Sequence, residues 1–314
     1  MTHIPIFLAA DDNYAAPLSV TICSIKRSAS KEYIYDIRVL TAGLSDENRR
    51  RLVNESTDNI NISIVDITEA LKEEKGKLSH LRDYYSESIY YRLFIPRLYP
   101  ELERAVYIDC DTVVLKDIAE LYFTELGDAL LAAAADECIP GIEEFSEYVE
   151  NWVGIPRDEY FNSGVLVMNL SLMRSEGIAE LIFENIEKHS FDTIAPDQDY
   201  LNFFCRGRVC FLPPSWNKQP NHDSYIPPIR LSLIHFNMFN KPWHYSGVLY
   251  EDEFWKCASG SQYLDELREM LEGYPEEARV ADIDATVKLI RTAGELAGRR
   301  GGFAEVLGNA VSVG

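Results

Sequence analysis

Asp109-Cys110-Asp111 sets two carboxylates one residue apart, directly after the apolar run Ala105-Val106-Tyr107-Ile108. Carboxylate oxygens are the donors that hard divalent cations take. The run reads as a buried strand, so the acidic pair falls where that strand leaves the core. Side chains at i and i+2 of an extended backbone point the same way, which lets both carboxylates converge on one cation. Asp-x-Asp recurs at Asp197/Asp199 and Asp282/Asp284, and the bare tripeptide is more often a solvated turn. Only the pair at 109 and 111 lies between two apolar stretches, the second being Thr112 to Leu115, where unpaired charge is costly. A divalent metal site is the first expectation.

The elements that must position this pair alternate. Ile4 to Ala10 is a strand-length apolar run, followed by Asp11-Asp12-Asn13 and a helical pattern through Ser28. Asp36 to Leu40, Ser45 to Asn54 and Ile60 to Val65 continue strand, helix, strand. Such alternation implies crossover connections and a mainly parallel sheet, in which ligands bind beyond the carboxyl ends of the strands. Ser86 to Leu98 reads as a helix packed on the sheet, and Tyr160 to Asn169 as an apolar strand entered through a polar bend. Ser171 to His189 reads as one amphipathic helix capped by Ser171, and Leu231 to Phe236 as a last short strand. The expected division is a catalytic domain over 1–258 and a helical appendage over 259–314, with helices at Leu264 to Leu271, Asp284 to Leu296 and Phe303 to Leu307. The appendage carries no recognisable chemistry and is expected to pack on the body or to join a second copy in a homo-oligomer.

Composition narrows the partners. With 30 basic and 51 acidic side chains the net charge is −21, which disfavours nucleic acid and anionic membrane surfaces. The six cysteines form no Cys-x-x-Cys pair and read as reduced, mostly buried thiols. No signal-peptide pattern or bilayer-length apolar segment is present, so the expected place is the cytoplasm, at most peripheral at the cytoplasmic face of a membrane.

Four blocks together resemble the retaining glycosyltransferases of family eight, the group of lipopolysaccharide galactosyl- and glucosyltransferases and glycogenins. They are Ala9-Ala10-Asp11-Asp12-Asn13-Tyr14-Ala15, Tyr107-Ile108-Asp109-Cys110-Asp111, Phe161-Asn162-Ser163-Gly164-Val165, and His235 with Lys241-Pro242-Trp243. Pro196-Asp197-Gln198-Asp199 adds a fifth between the last two, and order and spacing make the match specific from residue 4 to about 245.

The resemblance implies a GT-A fold, an α/β architecture whose Rossmann-like, mainly parallel mixed sheet is flanked by helices, here with a helical carboxyl-terminal tail. It implies retaining transfer of a hexose, glucose or galactose, from a UDP-sugar to a glycan or lipopolysaccharide-type acceptor. The implied metal is Mn²⁺, with Mg²⁺ as its substitute, on Asp109, Asp111 and His235. A mixed oxygen and nitrogen donor set suits Mn²⁺ better than Ca²⁺. Asp11 and Asn13 correspond to residues that hold the uracil and ribose, Arg92 to one that contacts the donor sugar or diphosphate, and Lys241 to one that reaches the diphosphate, with Ala10 and Cys110 of the same blocks also donor-binding. Gln198 matches the residue nearest the anomeric carbon, with Asp197 and Asn162 binding sugar hydroxyls. A carboxamide is a poor nucleophile, so attack by the acceptor on the face UDP leaves is favoured over a covalent intermediate.

One departure stands out. The family often has glycine three residues after the metal-binding histidine, and this chain has Met238. Two alternatives stay open at this level: a UDP-sugar-binding protein without turnover, and a metal-dependent nucleotidyltransferase, although Asp11-Asp12-Asn13 is not the glycine-rich basic loop the latter usually carries. Membrane contact is expected to be weak or absent, since the tail has only scattered Lys288, Arg291, Arg299 and Arg300. Phe145, Tyr148, Trp152, Trp216 and Tyr225 are aromatic candidates for stacking on sugar faces, or core.

Overall fold

The computed structural model describes residues 1–74 and 87–308. Nine strands appear among them: β1 (Thr2–Ala9), β2 (Tyr33–Thr41), β3 (Ile60–Asp66), β4 (Arg104–Ile108), β5 (Thr112–Val114), β6 (Leu131–Ala133), β7 (Val165–Asn169), β8 (Val209–Phe211) and β9 (Leu233–His235). Seven form one sheet in the order β3-β2-β1-β4-β7-β6-β8, and β5 pairs with β9 in a separate ribbon. Every pairing in the large sheet is parallel except the two made by β7, which runs against β4 and β6.

Both faces of this sheet are covered at its centre, which is why β4 and β7 are apolar along most of their length, whereas β3 at the edge alternates. Successive side chains alternate between two cores. Phe7, Tyr107, Leu166 and Met168 enter one of them, and Ile6, Leu8, Val106, Ile108, Val165 and Val167 the other. The helix Ala15–Ser28 lies on the second core and supports β5 through its hydroxyls. The Thr21 hydroxyl donates to the Thr112 carbonyl at 2.8 Å, and Ser24 Oγ accepts from the Val114 amide at 2.9 Å. A helix thus takes the place of a neighbouring strand along this edge of β5.

Three expectations change. The strand expected over Tyr160 to Asn169 begins only at Val165: backbone bonds to the segment around Ala135 continue on one side before it, but side-chain amides replace the ladder on the other. Asn202 accepts from the Phe161 amide and donates to its carbonyl, both at 2.8 Å. The helix expected from Ser171 to His189 is two helices, Leu170–Ser175 and Ile178–His189, parted at Gly177 with φ +63°, a left-handed conformation that favours glycine. Its amino-terminal cap is Asn169, which accepts from the Leu172 amide at 3.2 Å, rather than Ser171. The chain also bends at Cys110 and Asp111 instead of staying extended, so the two carboxylates meet across a bend. Of the helix expected from Ser86, residue 86 lies outside the described residues, and Glu87–Tyr90 and Tyr91–Leu98 are helical.

After β9 the helices Glu251–Ala258, Leu264–Gly273, Glu276–Ala297 and Phe303–Leu307 complete the described chain. Leu289, Ala293, Leu296 and Phe303 are buried in the same core as Phe7 and Tyr107. Phe303 packs against the Phe191, Tyr200 and Phe203 rings at centroid distances of 4.2, 4.8 and 5.6 Å. No helix among the described residues is long and apolar enough to cross a membrane. Phe303→Ala is expected to lower the unfolding free energy by about 3–5 kcal/mol, the usual cost of emptying a buried aromatic site, measured by chemical denaturation.

Candidate active site

The antiparallel placement of β7 brings its first residue beside the last residue of β4, Ile108 opposite Val165. Consequently the loop entering β7 and the loop leaving β4 share one edge of the sheet, and the Asp109 amide donates to the Gly164 carbonyl at 2.7 Å. The β5–β9 register adds the third group by setting His235 opposite Thr112. Asp109, Asp111 and His235 therefore converge, with one ligand atom from each within 4.8 Å of the others.

Charge compensation holds the cluster. Asp109 Oδ1 accepts from Arg92 Nη2 at 2.9 Å and from the Tyr107 hydroxyl at 2.8 Å. Arg92, 3% exposed, also reaches Asp197 at 3.2 Å and donates to the Ser163 carbonyl. Lys241 Nζ donates to Asp111 Oδ2 and to the Phe236 carbonyl, both at 2.5 Å. Burial alone would raise the Asp111 carboxyl, yet the Lys241 ammonium beside it holds it well below the usual carboxylate range. Burial pushes Asp197 up against the opposing pull of Arg92.

Two observations fit a cation to this cluster. Asp111 Oδ1 is buried without a hydrogen-bond donor and faces His235 Nε2 at 3.2 Å, while Asp109 Oδ2 lies 3.7 Å from the same nitrogen. A buried carboxylate oxygen left unpaired is expensive unless something positive meets it. Gly164 makes room for the arrangement, since a Cβ there would stand 2.2 Å from His235 Cε1 and 2.7 Å from Asp109 Oδ2.

Two cavities meet at these residues. The larger, of about 400 Å³, holds Ala10, Asp11, Arg92, Cys110 and Lys241 in its wall. The other, of about 200 Å³, is lined by Asn162, Asp197, Gln198 and His235. Asn13 faces neither and sits in an adjoining depression with Asn48 and Arg51. Its amide caps the turn by donating to Asp11 Oδ1 at 3.0 Å. Gln198 Oε1 accepts from the Ser163 amide at 2.9 Å, and Gln198 Nε2 donates to Asp136 Oδ2 at 3.0 Å. Among the aromatic candidates only Phe145 lines a site cavity; Tyr148, Trp152 and Trp216 are buried, and exposed Tyr225 stacks on Tyr250.

Residues 5–247 match the family described as Glycosyl transferase family 8. The chain belongs to this family. General stress protein A of Bacillus subtilis is 27% identical over 282 residues, covering 82% of this chain and 94% of its relative. Lipopolysaccharide 1,2-glucosyltransferase of Escherichia coli is 29% identical over 188 residues, covering 55% of this chain and 54% of its relative. Among solved structures, the galactosyltransferase LgtC in complex with donor and acceptor sugar analogs superposes with a TM-score of 0.70 at 26% identity, over 85% of this chain and all (100%) of LgtC. The WbbM bifunctional glycosyltransferase gives a TM-score of 0.76 at 30% identity over 86% of this chain, which spans about half (52%) of that protein. The family 8 chain is thus a glycosyltransferase, and its sheet with one reversed strand is the GT-A fold.

Some of the site lies outside the residues that carry the family match. Tyr274, Asp282 and Leu289, from the carboxyl-terminal helices, line the larger cavity, and Leu289 lines both. Asp136 and Ser163 were also missed: neither carries a motif of its own, and only the neighbouring Asn162 and Gly164 drew attention to Ser163. Gly164→Ala is expected to push the His235 ring aside and weaken binding of a divalent cation by about 10–100-fold while far-ultraviolet circular dichroism stays unchanged, read with Mn²⁺ as the electron paramagnetic resonance probe.

Proposed function

We propose that this glycosyltransferase transfers glucose or galactose with retention from a UDP-sugar to a glycan or lipopolysaccharide-type acceptor, with Mn²⁺ held by Asp109, Asp111 and His235. The observation that carries the reading is the unpaired, buried Asp111 Oδ1 beside His235 Nε2, where the two cavities meet. The larger cavity takes UDP and the smaller one the transferred sugar and the attacking hydroxyl. When bound, Mn²⁺ supplies positive charge against the negative charge that grows on the departing diphosphate.

The chain's own residues do the rest. Asp11 sits on the nucleoside side of the larger cavity and Lys241 on the diphosphate side. Lys241 keeps an ammonium beside the leaving group because burial, which would lower its pKa, is outweighed by Asp111. Arg92 is committed to Asp109 and Asp197, so it acts mainly by fixing these two carboxylates at the sugar. The bond between the anomeric carbon and the phosphate oxygen breaks with its electron pair leaving on UDP. The acceptor oxygen then bonds to that carbon on the same face and its proton passes to the departing phosphate. Gln198 offers the second lone pair of Oε1 to the positive charge that develops on the sugar, while Asp197 and Asn162 hold hydroxyls.

Met238 occupies the position where glycine is frequent and adopts φ +57° with its side chain 40% exposed. The left-handed conformation costs a residue with a Cβ about 1–2 kcal/mol, which accounts for the glycine preference. Met238→Gly is expected to change the unfolding free energy by less than about 1 kcal/mol, since strain relief offsets glycine's greater chain entropy, and to tighten UDP binding in calorimetry by opening the backbone amide.

Release of UDP from UDP-glucose and UDP-galactose, with Mn²⁺ or EDTA, tests the main reading. Metal-dependent release from one donor is expected, falling by about 100-fold or more in Asp111→Asn. Release that ignores EDTA, or absence of both release and Mn²⁺-dependent UDP binding, would overturn it.

A further inference from the structure

His235 can ligate through Nε2 only if its neutral form carries the proton on Nδ1. Nδ1 lies 2.9 Å from Asn217 Oδ1. Whether that atom is an oxygen or a nitrogen is the usual ambiguity of an amide. Here the surroundings resolve it. Asn217 Nδ2 donates to Asn162 Oδ1 at 2.9 Å, and Asn162 Oδ1 also accepts from the Gly164 backbone amide at 3.0 Å. A backbone N–H only donates, so the Asn162 oxygen must face it. At its other end Asn162 Nδ2 donates to Asp136 Oδ2 at 3.0 Å, and a carboxylate only accepts. Two groups of fixed polarity thus orient Asn162, Asn162 orients Asn217, and Asn217 leaves an acceptor for His235.

We infer that Asp136 and Asn217 are positioning residues, joined through Asn162 in a buried relay that fixes the His235 proton on Nδ1 and turns Nε2 toward Asp109 and Asp111. All four members are nearly sealed from solvent, with Asp136 and Asn162 6% exposed, Asn217 1% and His235 2%. Burial makes each misoriented amide expensive, because a reversed Asn217 would face donor to donor at the imidazole. Asp136 anchors more than this chain. It accepts from Gln198 Nε2, Gln219 Nε2 and the Cys138 amide, each at 3.0 Å. The same carboxylate therefore fixes the Gln198 amide with its oxygen toward Ser163. One buried anion without a cationic partner among its hydrogen bonds sets the polarity of two amides at the site.

The inference rests on the metal reading for its purpose but not for its test. Nitrogen-15 spectra of histidine-labelled full-length protein, recorded without metal at alkaline pH where the ring is neutral, report which nitrogen is protonated. Loss of the signal in His235→Gln assigns it. The parent is expected to carry the proton on Nδ1. Asn217→Leu should move it to Nε2 and weaken Mn²⁺ binding by about 10–100-fold, as loss of an outer hydrogen-bond partner does. Asn217→Asp keeps an acceptor for Nδ1 and should hold the tautomer, although its second oxygen cannot donate to Asn162. A role in packing alone would not separate these two variants. An Nε2-protonated parent, or a folded Asn217→Leu protein that keeps parental tautomer and affinity, would overturn the relay. If the leucine variant does not fold, the parent spectrum decides on its own. Failure of the parent to bind Mn²⁺, with the Nδ1 proton in place, would instead count against the metal reading.

Discussion

Three carboxylates share one crevice with two cations, and much of the surrounding architecture serves to keep them there. Arg92 bridges Asp109 and Asp197, while Lys241 holds Asp111. These three acids outnumber the two bases, and the Asp136 carboxylate in the wall of the smaller cavity adds to the imbalance. Ionised groups with so little water around them are stable only when paired and hydrogen-bonded. Apart from Asp109 and Asp111, each group comes from a different stretch of chain, so displacing Arg92 or Lys241 leaves a buried carboxylate without its cation. The crevice is therefore poised for added positive charge, and the excess sits at Asp111 Oδ1, the one oxygen of the pair at 109 and 111 that is buried with no donor.

Strand direction is what allows the cluster to form. If β7 ran parallel to β4, the Asn162-Ser163-Gly164 loop would open at the opposite edge of the sheet, far from Asp109. Reversal places that loop beside the acidic pair, and side-chain amides from the helix Pro196–Cys205 then replace the hydrogen bonds that a regular strand would have made. The irregular backbone before Val165 is thus how Asn162 and Ser163 come to face Gln198 instead of continuing the sheet. Small size at Gly164 is the remaining requirement, because His235 and Asp109 occupy the space any side chain there would need.

What the sequence disclosed and what it hid divide along physical lines. Runs of apolar residues marked β1, β2, β3 and β4, and the acidic pair after β4 was legible because charge interrupts that pattern. The polarity of β7 was not legible, since an apolar strand reads the same in either direction. The break at Gly177 was hidden because apolar residues recur on both sides of it and a single glycine does not by itself end a helical pattern. Asp136 and Asn217 are single polar residues, and their importance lies in which donors surround them after folding. The other two Asp-x-Asp pairs, weak signals as bare tripeptides, both contribute. Asp197 meets Arg92, Asp199 accepts from the Tyr148 and Tyr160 hydroxyls at 2.7 and 2.6 Å, and Asp282 enters the wall of the larger cavity.

Asp282 also ties the carboxyl-terminal helices to the segment that carries Lys241. Its Oδ2 accepts from the Tyr245 and Tyr274 hydroxyls, both at 2.7 Å, and His244 stacks on Tyr274 with ring centroids 3.9 Å apart. The amides of His244 and Tyr245 both donate to the Lys241 carbonyl at 2.9 Å, so the backbone at Lys241 is held by the residues the tail grips. Burial pushes the His244 pKa down to about 4, which leaves the ring neutral near pH 7 and adds no second positive charge beside Lys241. A charged imidazole there would instead repel the Lys241 ammonium. The tail thus braces the lysine through hydroxyl and ring contacts that add no second cation beside it. Leu289, one wall of both cavities, comes from the same helix as Asp282, so the position of the wall and the position of the lysine are set together.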